Sequence, residues 1–103
     1  MNKKVALVTG GFDPIHKGHI KYFKDSKKYA DILIVGLNSE EWLKRKKGYS
    51  FMSWDERAAI IKNLEMVDDV INFNDDDESA CDAIEICLCK YDEVIFINGG
   101  DRE

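Results

Sequence analysis

With 103 residues, the chain is long enough for one domain around one core, and its 45% hydrophobic content sets it apart from disordered sequences. A net charge of −5 is divided between an acidic run, Asp75-Asp76-Asp77-Glu78, and a basic run, Lys44-Arg45-Lys46-Lys47, so the broad basic face of a nucleic-acid binder is not expected. No run approaches the roughly 18 apolar residues that span a bilayer, and no signal peptide is read at the start; with Cys81, Cys87 and Cys89 read as reduced thiols, a cytoplasmic protein is expected.

In chain order, a strand over residues 3–9 leads through Gly10-Gly11 to a helix over residues 17–29 that buries Ile20 and Phe23. Residues 31–37 form a continuous apolar run, as expected of a strand covered on both faces. A short helical turn over residues 40–43 is followed by a basic loop, Lys44 to Gly48. Ser53-Trp54-Asp55-Glu56 is a capping box, and Ala58, Ile61 and Leu64 form one stripe of the helix it opens. A strand over 69–73 precedes a helix with Ala80, Ala83, Ile84, Cys87 and Leu88 at core-facing spacing, with Cys87 as core filler. The acids ahead of that helix suit the positive end of its dipole. A strand over 93–97 then runs into Asn98-Gly99-Gly100-Asp101-Arg102. Alternating strands and helices predict an α/β domain, 1–103, with a doubly wound, Rossmann-like parallel sheet. Ligands of such sheets bind beyond the carboxyl ends of the strands.

The densest chemistry lies in Thr9-Gly10-Gly11-Phe12-Asp13-Pro14-Ile15-His16-Lys17-Gly18-His19. Glycines after a strand let backbone approach a ligand, and a following helix presents unpaired N–H groups and a positive dipole end. Two imidazoles three residues apart at that helix start can donate to one anion. No third histidine or nearby cysteine completes a zinc shell, so no protein metal site is expected, and the dinucleotide fingerprint G-x-G-x-x-G is absent.

Gly10, Phe12, Asp13, His16, Gly18 and His19 resemble the G-T-F-D-x-x-H-x-G-H signature of the cytidylyltransferase-like nucleotidyltransferases, with Gly11 in place of the family's usual Thr. The resemblance implies transfer of a nucleoside monophosphate from ATP or CTP to a phosphorylated sugar or polyol, with release of pyrophosphate and with Mg²⁺ on the nucleotide. It implies that His16, His19 and Lys46 act on the phosphates, and that Gly10, Gly11, Phe12, Gly18, Lys44, Arg57, Gly100 and Asp101 line the nucleotide site. Asp13 reads as an anchor for the turn. The double glycine of Asn98-Gly99-Gly100-Asp101 is more like the heptose-phosphate adenylyltransferases than the glycerol-phosphate cytidylyltransferases. Relatives also commonly dimerise, so a homodimer is expected.

Family members continue with an R-T-x-G-I-S-T-T segment that has no counterpart after Glu103, so weak nucleotide binding is expected. A second reading is therefore a nucleotide-binding module with little or no turnover. A third, a fragment of an aminoacyl-tRNA synthetase carrying H-x-G-H, is disfavoured by the small size and the lack of a basic face.

Overall fold

The computed structural model describes residues 3–97. Its elements are β1 (Lys4–Gly10), α1 (Lys17–Lys27), β2 (Ile32–Leu37), α2 (Glu40–Lys47), α3 (Trp54–Lys62), β3 (Asp69–Asn72), α4 (Cys81–Lys90) and β4 (Glu93–Phe96). The four strands form one parallel sheet in the order β3-β2-β1-β4, with Val8 beside Val35, Val35 beside Val70, and Ala6 beside Ile95. The chain winds outward from β1 through β2 to β3, then crosses back to place β4 on the other side of β1. That reversal sets the switch point between β1 and β4, where sheets of this kind leave a crevice at their carboxyl ends.

Central position explains composition. Val5, Ala6, Leu7 and Val8 of β1 are all fully buried, because both faces of this strand are covered. On one face α1 and α3 supply Phe23, Ala58 and Ile61, which join Ala6, Val8, Leu33 and Val35. On the other, α4 supplies Ala83 and Cys87 against Val5, Leu7, Ile34 and Phe73. Helices on both faces make this a doubly wound, Rossmann-like domain. Burying one large side chain such as Phe23 contributes about 1.5–3 kcal/mol, so Phe23 is a main attachment of α1 to the sheet.

The elements agree with the sequence reading to within two residues, apart from one. The basic segment expected as a loop is the last turn of α2: Ser39 caps its start and Gly48, in the left-handed region at φ 85°, ends it. Lys44 to Lys47 thereby gather at the negative end of the helix dipole. Two packing expectations also change. Leu88 is 52% exposed, since the contact surface of α4 centres on Ala83 and Cys87, and Ile20 is only half-buried. The acids 75–78 lie ahead of the first turn of α4, where only Asp82 sits, and Asp75 turns instead to the start of α2. Asn98, Gly100, Asp101 and Arg102 lie outside the described residues.

Candidate functional site

At the end of β1 the chain turns through Gly10-Gly11 into Phe12, a buried residue in the left-handed region at φ 49°. That conformation is uncommon for a bulky side chain, and the Phe12 ring is held in it by edge-on packing against Phe23 and His19 at centroid distances of 5.0 and 4.9 Å. Asp13 follows, joined by a cis peptide to Pro14.

The two histidines cap α1 themselves. His16 Nδ1 accepts from the Gly18 N–H at 3.1 Å, and His19 Nδ1 accepts from the His16 N–H at 3.2 Å, a capping box built from imidazoles. Their rings stack with centroids 3.9 Å apart. With both Nδ1 atoms accepting, the hydrogen-bond pattern assigns the neutral rings' hydrogen to Nε2. Gly18 is required by this stack, because a Cβ there would come 2.9 Å from His16 Cε1.

Asp13 anchors more than its own turn. Its Oδ2 accepts from the Phe51 N–H at 2.7 Å and its Oδ1 from the Met52 N–H at 2.7 Å, while Lys47 Nζ lies 3.3 Å from Oδ2. Burial opposes ionisation here, but the two amides and Lys47 outweigh it and hold the carboxyl below its usual range. The segment after α2 is thus fastened to the histidine turn.

The start of α2 is fastened by Asp75, which was not singled out in sequence. Asp75 is buried and accepts from Asn38 Nδ2 at 2.9 Å, from the Ser39 N–H at 2.8 Å and from Ser39 Oγ at 2.8 Å. Burial raises its pKa, and these donors more than reverse that, so it too is held low. Arg45 adds bonds to the Asp75 carbonyl at 3.0 Å and to Glu78 at 2.7 Å.

Arg57 departs from the expectation of a phosphate-facing cation. It is fully buried, and its guanidinium donates to the carbonyl oxygens of Gly11 at 2.8 Å, Asn38 at 2.9 Å, Met52 at 3.2 Å and Ser53 at 3.3 Å. Burial pulls its pKa down, countered by the charges of Asp13, Glu40 and Asp75. Its Nη2 has no hydrogen-bond partner among the described residues. A planar fork with five donors can tie together four carbonyls from the ends of β1 and β2 and the start of α3; a lysine could not. Arg57 therefore lies beneath the site as its floor.

Held in this way, α2 faces the histidines across a cleft of ≈ 370 Å³ lined by Gly11, Phe12, His16, His19, Trp42 and Lys46, with Lys47 beside Asp13. The structure brings His16, His19 and Lys46 together. Lys44 is exposed on α2 and does not line this cleft, and Gly10 lies under the Phe12 ring, 2.8 Å from where its Cβ would stand. Trp42 in the cleft went unread in the sequence, and Lys47 was read only as a member of the basic run Lys44 to Lys47. Helical spacing is the signal that finds them, since Trp42, Leu43, Lys46 and Lys47 share one face at i, i+1, i+4 and i+5 once α2 extends through the bases.

Paired imidazoles on a helix start and two lysines thus line one cleft beyond the carboxyl end of β1, and a family profile runs through all of these residues. The cytidylyltransferase-like family profile covers residues 7–101.

The chain belongs to the cytidylyltransferase-like family.

Among curated relatives of this cytidylyltransferase-like chain, the bifunctional protein HldE of Sulfurimonas denitrificans is 45% identical over 103 residues, covering 98% of the chain and 20% of the relative. The bifunctional protein HldE of Aliarcobacter butzleri is 35% identical over 105 residues, covering 100% of the chain and 21% of the relative. The chain thus spans about a fifth of the length of the curated relatives it matches. Among solved structures, the lipopolysaccharide core biosynthesis protein of Thermoplasma volcanium superposes with a TM-score of 0.71 at 24% identity, over 94% of this chain and 98% of that one, a likeness in fold.

Proposed function

We propose that the chain is a nucleotidyltransferase domain that moves a nucleoside monophosphate from ATP or CTP to a phosphorylated sugar or polyol and releases pyrophosphate. One observation carries the reading. His16 and His19 stack with their Nδ1 atoms tied to backbone N–H groups, and both rings line one cleft with Lys46 and Lys47.

In this reaction an oxygen of the acceptor phosphate attacks the α-phosphorus of the nucleotide. The new P–O bond forms as the bond from the α-phosphorus to the bridging oxygen breaks, and pyrophosphate departs with the electron pair. No protein nucleophile is needed, so catalysis reduces to alignment and to stabilising charge as it develops. The imidazole Nε2–H groups donate to phosphate oxygens, and donors fixed in advance by a capping box need no reorganisation at the moment of reaction. The α1 N-terminus adds its dipole. Lys46 and Lys47 offset the charge of the leaving pyrophosphate.

Mg²⁺ is expected with the nucleotide. Among the described residues no trio of His, Cys, Asp or Glu is arranged to hold a metal, and the Asp13 carboxylate is already occupied by two amides and Lys47. The reading therefore leaves the ion to the phosphates and routes no step through the protein's carboxylates.

The resemblance of the Gly99-Gly100-Asp101 segment to the heptose-phosphate adenylyltransferases supports ATP and a heptose phosphate as the first substrates to test. Pyrophosphate release with ATP or CTP, each against heptose 1-phosphate and glycerol 3-phosphate, tests the reading. Release that requires one nucleotide and one acceptor together supports it. Nucleotide binding without release would favour the alternative, a binding module with little turnover. A homodimer belongs to the same proposal, and light scattering showing a monomer at tens of micromolar, the range suited to a weak dimer, would remove it.

A further inference from the structure

Trp42 stands where two clefts meet. It lines the histidine–lysine cleft, and it also walls a second cleft of ≈ 240 Å³ bordered by Thr9, Asn38, Phe73 and Phe96, at the carboxyl ends of β1 and β4. The bare backbone of Gly11 makes room for this arrangement. A Cβ at Gly11 would come 2.7 Å from Leu43 Cδ2 and 3.4 Å from Trp42 Cζ3, so α2 packs directly on the turn. Lys46 holds its ammonium 5.4 Å from the centroid of the Trp42 ring.

A flat apolar ring with a cation held over it, in a cleft that the two imidazoles also line, suits a ligand that joins an anion to an apolar ring face once the lysine swings to the anion. A cyclic sugar phosphate has both: a C–H face that packs on an indole, and a phosphate for Lys46 and the histidines. An acyclic polyol phosphate brings the anion alone. We propose that Trp42 is a specificity-determining residue for the acceptor, its indole serving as the platform for the sugar ring and so favouring cyclic sugar phosphates over polyol phosphates. The inference rests on the nucleotidyl-transfer reading above.

Indole N–H resonances of the ¹⁵N-labelled chain test it directly. The chain has two tryptophans, Trp42 and Trp54, and the Trp42→Phe variant assigns the signals. Titration with heptose 1-phosphate should shift the Trp42 indole signal, and glycerol 3-phosphate should leave it nearly in place. Truncation to Trp42→Ala should raise the Kd for heptose 1-phosphate about ten-fold, the loss expected when roughly 1.4 kcal/mol of aromatic packing is removed, while Trp42→Phe restores most of it. The Kd for glycerol 3-phosphate should stay the same in all three proteins. Equal loss of both ligands, no loss of the sugar phosphate, or no binding of it by the unaltered chain overturns the proposal. Calorimetry with ATP and CTP on the unaltered chain separates the two claims, because absent nucleotide binding rejects the underlying function, whereas the role of Trp42 stands or falls on the ring-against-polyol contrast.

Discussion

Arg57 donates to the carbonyl oxygen of Gly11 at 2.8 Å across 46 positions of sequence. The contact links the start of α3 to the turn that carries the histidines, and the same Nη1 reaches Asn38 at the end of β2. Replacing Arg57 by Lys should cost stability rather than ligand affinity first. A single ammonium cannot reproduce the fork, and each carbonyl left buried without a donor costs about 1–3 kcal/mol. Urea unfolding should show Arg57→Lys destabilised by about 2–4 kcal/mol, with an unchanged m-value.

A second prediction concerns the join between Asp13 and the segment after α2. Asp13→Ala removes the acceptor for the Phe51 and Met52 amides and the partner of Lys47. Hydrogen exchange at those two amides should accelerate by about ten-fold or more, the consequence of losing charge-assisted bonds worth about 1.5–3 kcal/mol, while exchange in β1 stays slow. Unchanged protection at residues 51 and 52 would show that the segment is held by something else.

How much of this was legible beforehand follows from the range of each interaction. Strands and helices were readable because Val5 to Val8, Ile32 to Leu37 and the stripe of α3 carry their burial in local pattern. α2 was foreshortened because Leu43 is its only buried residue, so its bases resemble a loop even though Ser39 and Gly48 mark both ends. The histidine turn was legible as one unit, since its residues are contiguous. Arg57 and Asp75 were not, because what defines them are carbonyls and amides 19 to 46 residues away, and no periodicity encodes such partners.

A third prediction uses Asp13, Asp68 and Asp75, whose folded-state pKa values all lie below the usual one. Unfolding returns them to about 3.9, so the unfolded chain takes up protons first as pH falls. The stability they contribute is present above about pH 4–5 and is lost on acidification through their folded values. Thermal melts should show Tm falling below about pH 4, and the Asp75→Asn variant should fall less steeply there while starting lower at pH 7. An unchanged acid slope in that variant would contradict the role given to Asp75.

Gly11 supplies a fourth. Gly11→Thr drives a Cβ to within 2.7 Å of Leu43 Cδ2, and overpacking of this kind costs about 1–3 kcal/mol. Shortening the obstructing side chain should relieve the clash, so Gly11→Thr combined with Leu43→Ala should lose less than the sum of the two single changes. Strict additivity in urea unfolding would show that α2 does not press on the turn.

The histidines serve as caps and as donors, and substitutions can separate the two roles. His16→Asn keeps a side-chain acceptor at a favourable N-cap position but removes the Nε2–H, whereas His16→Ala removes both. His16→Asn should therefore melt near the unaltered protein, and His16→Ala about 1 kcal/mol below it. The most direct test is the rate of pyrophosphate release at saturating nucleotide and acceptor for the unaltered chain and His16→Asn. Loss of about 10²–10³ in that rate by a stably folded His16→Asn is the predicted result, the size expected for one missing donor to developing phosphate charge. A His16→Asn variant that releases pyrophosphate at the unaltered rate, or an unaltered chain that releases none, would contradict the assignment of this cleft to nucleotidyl transfer.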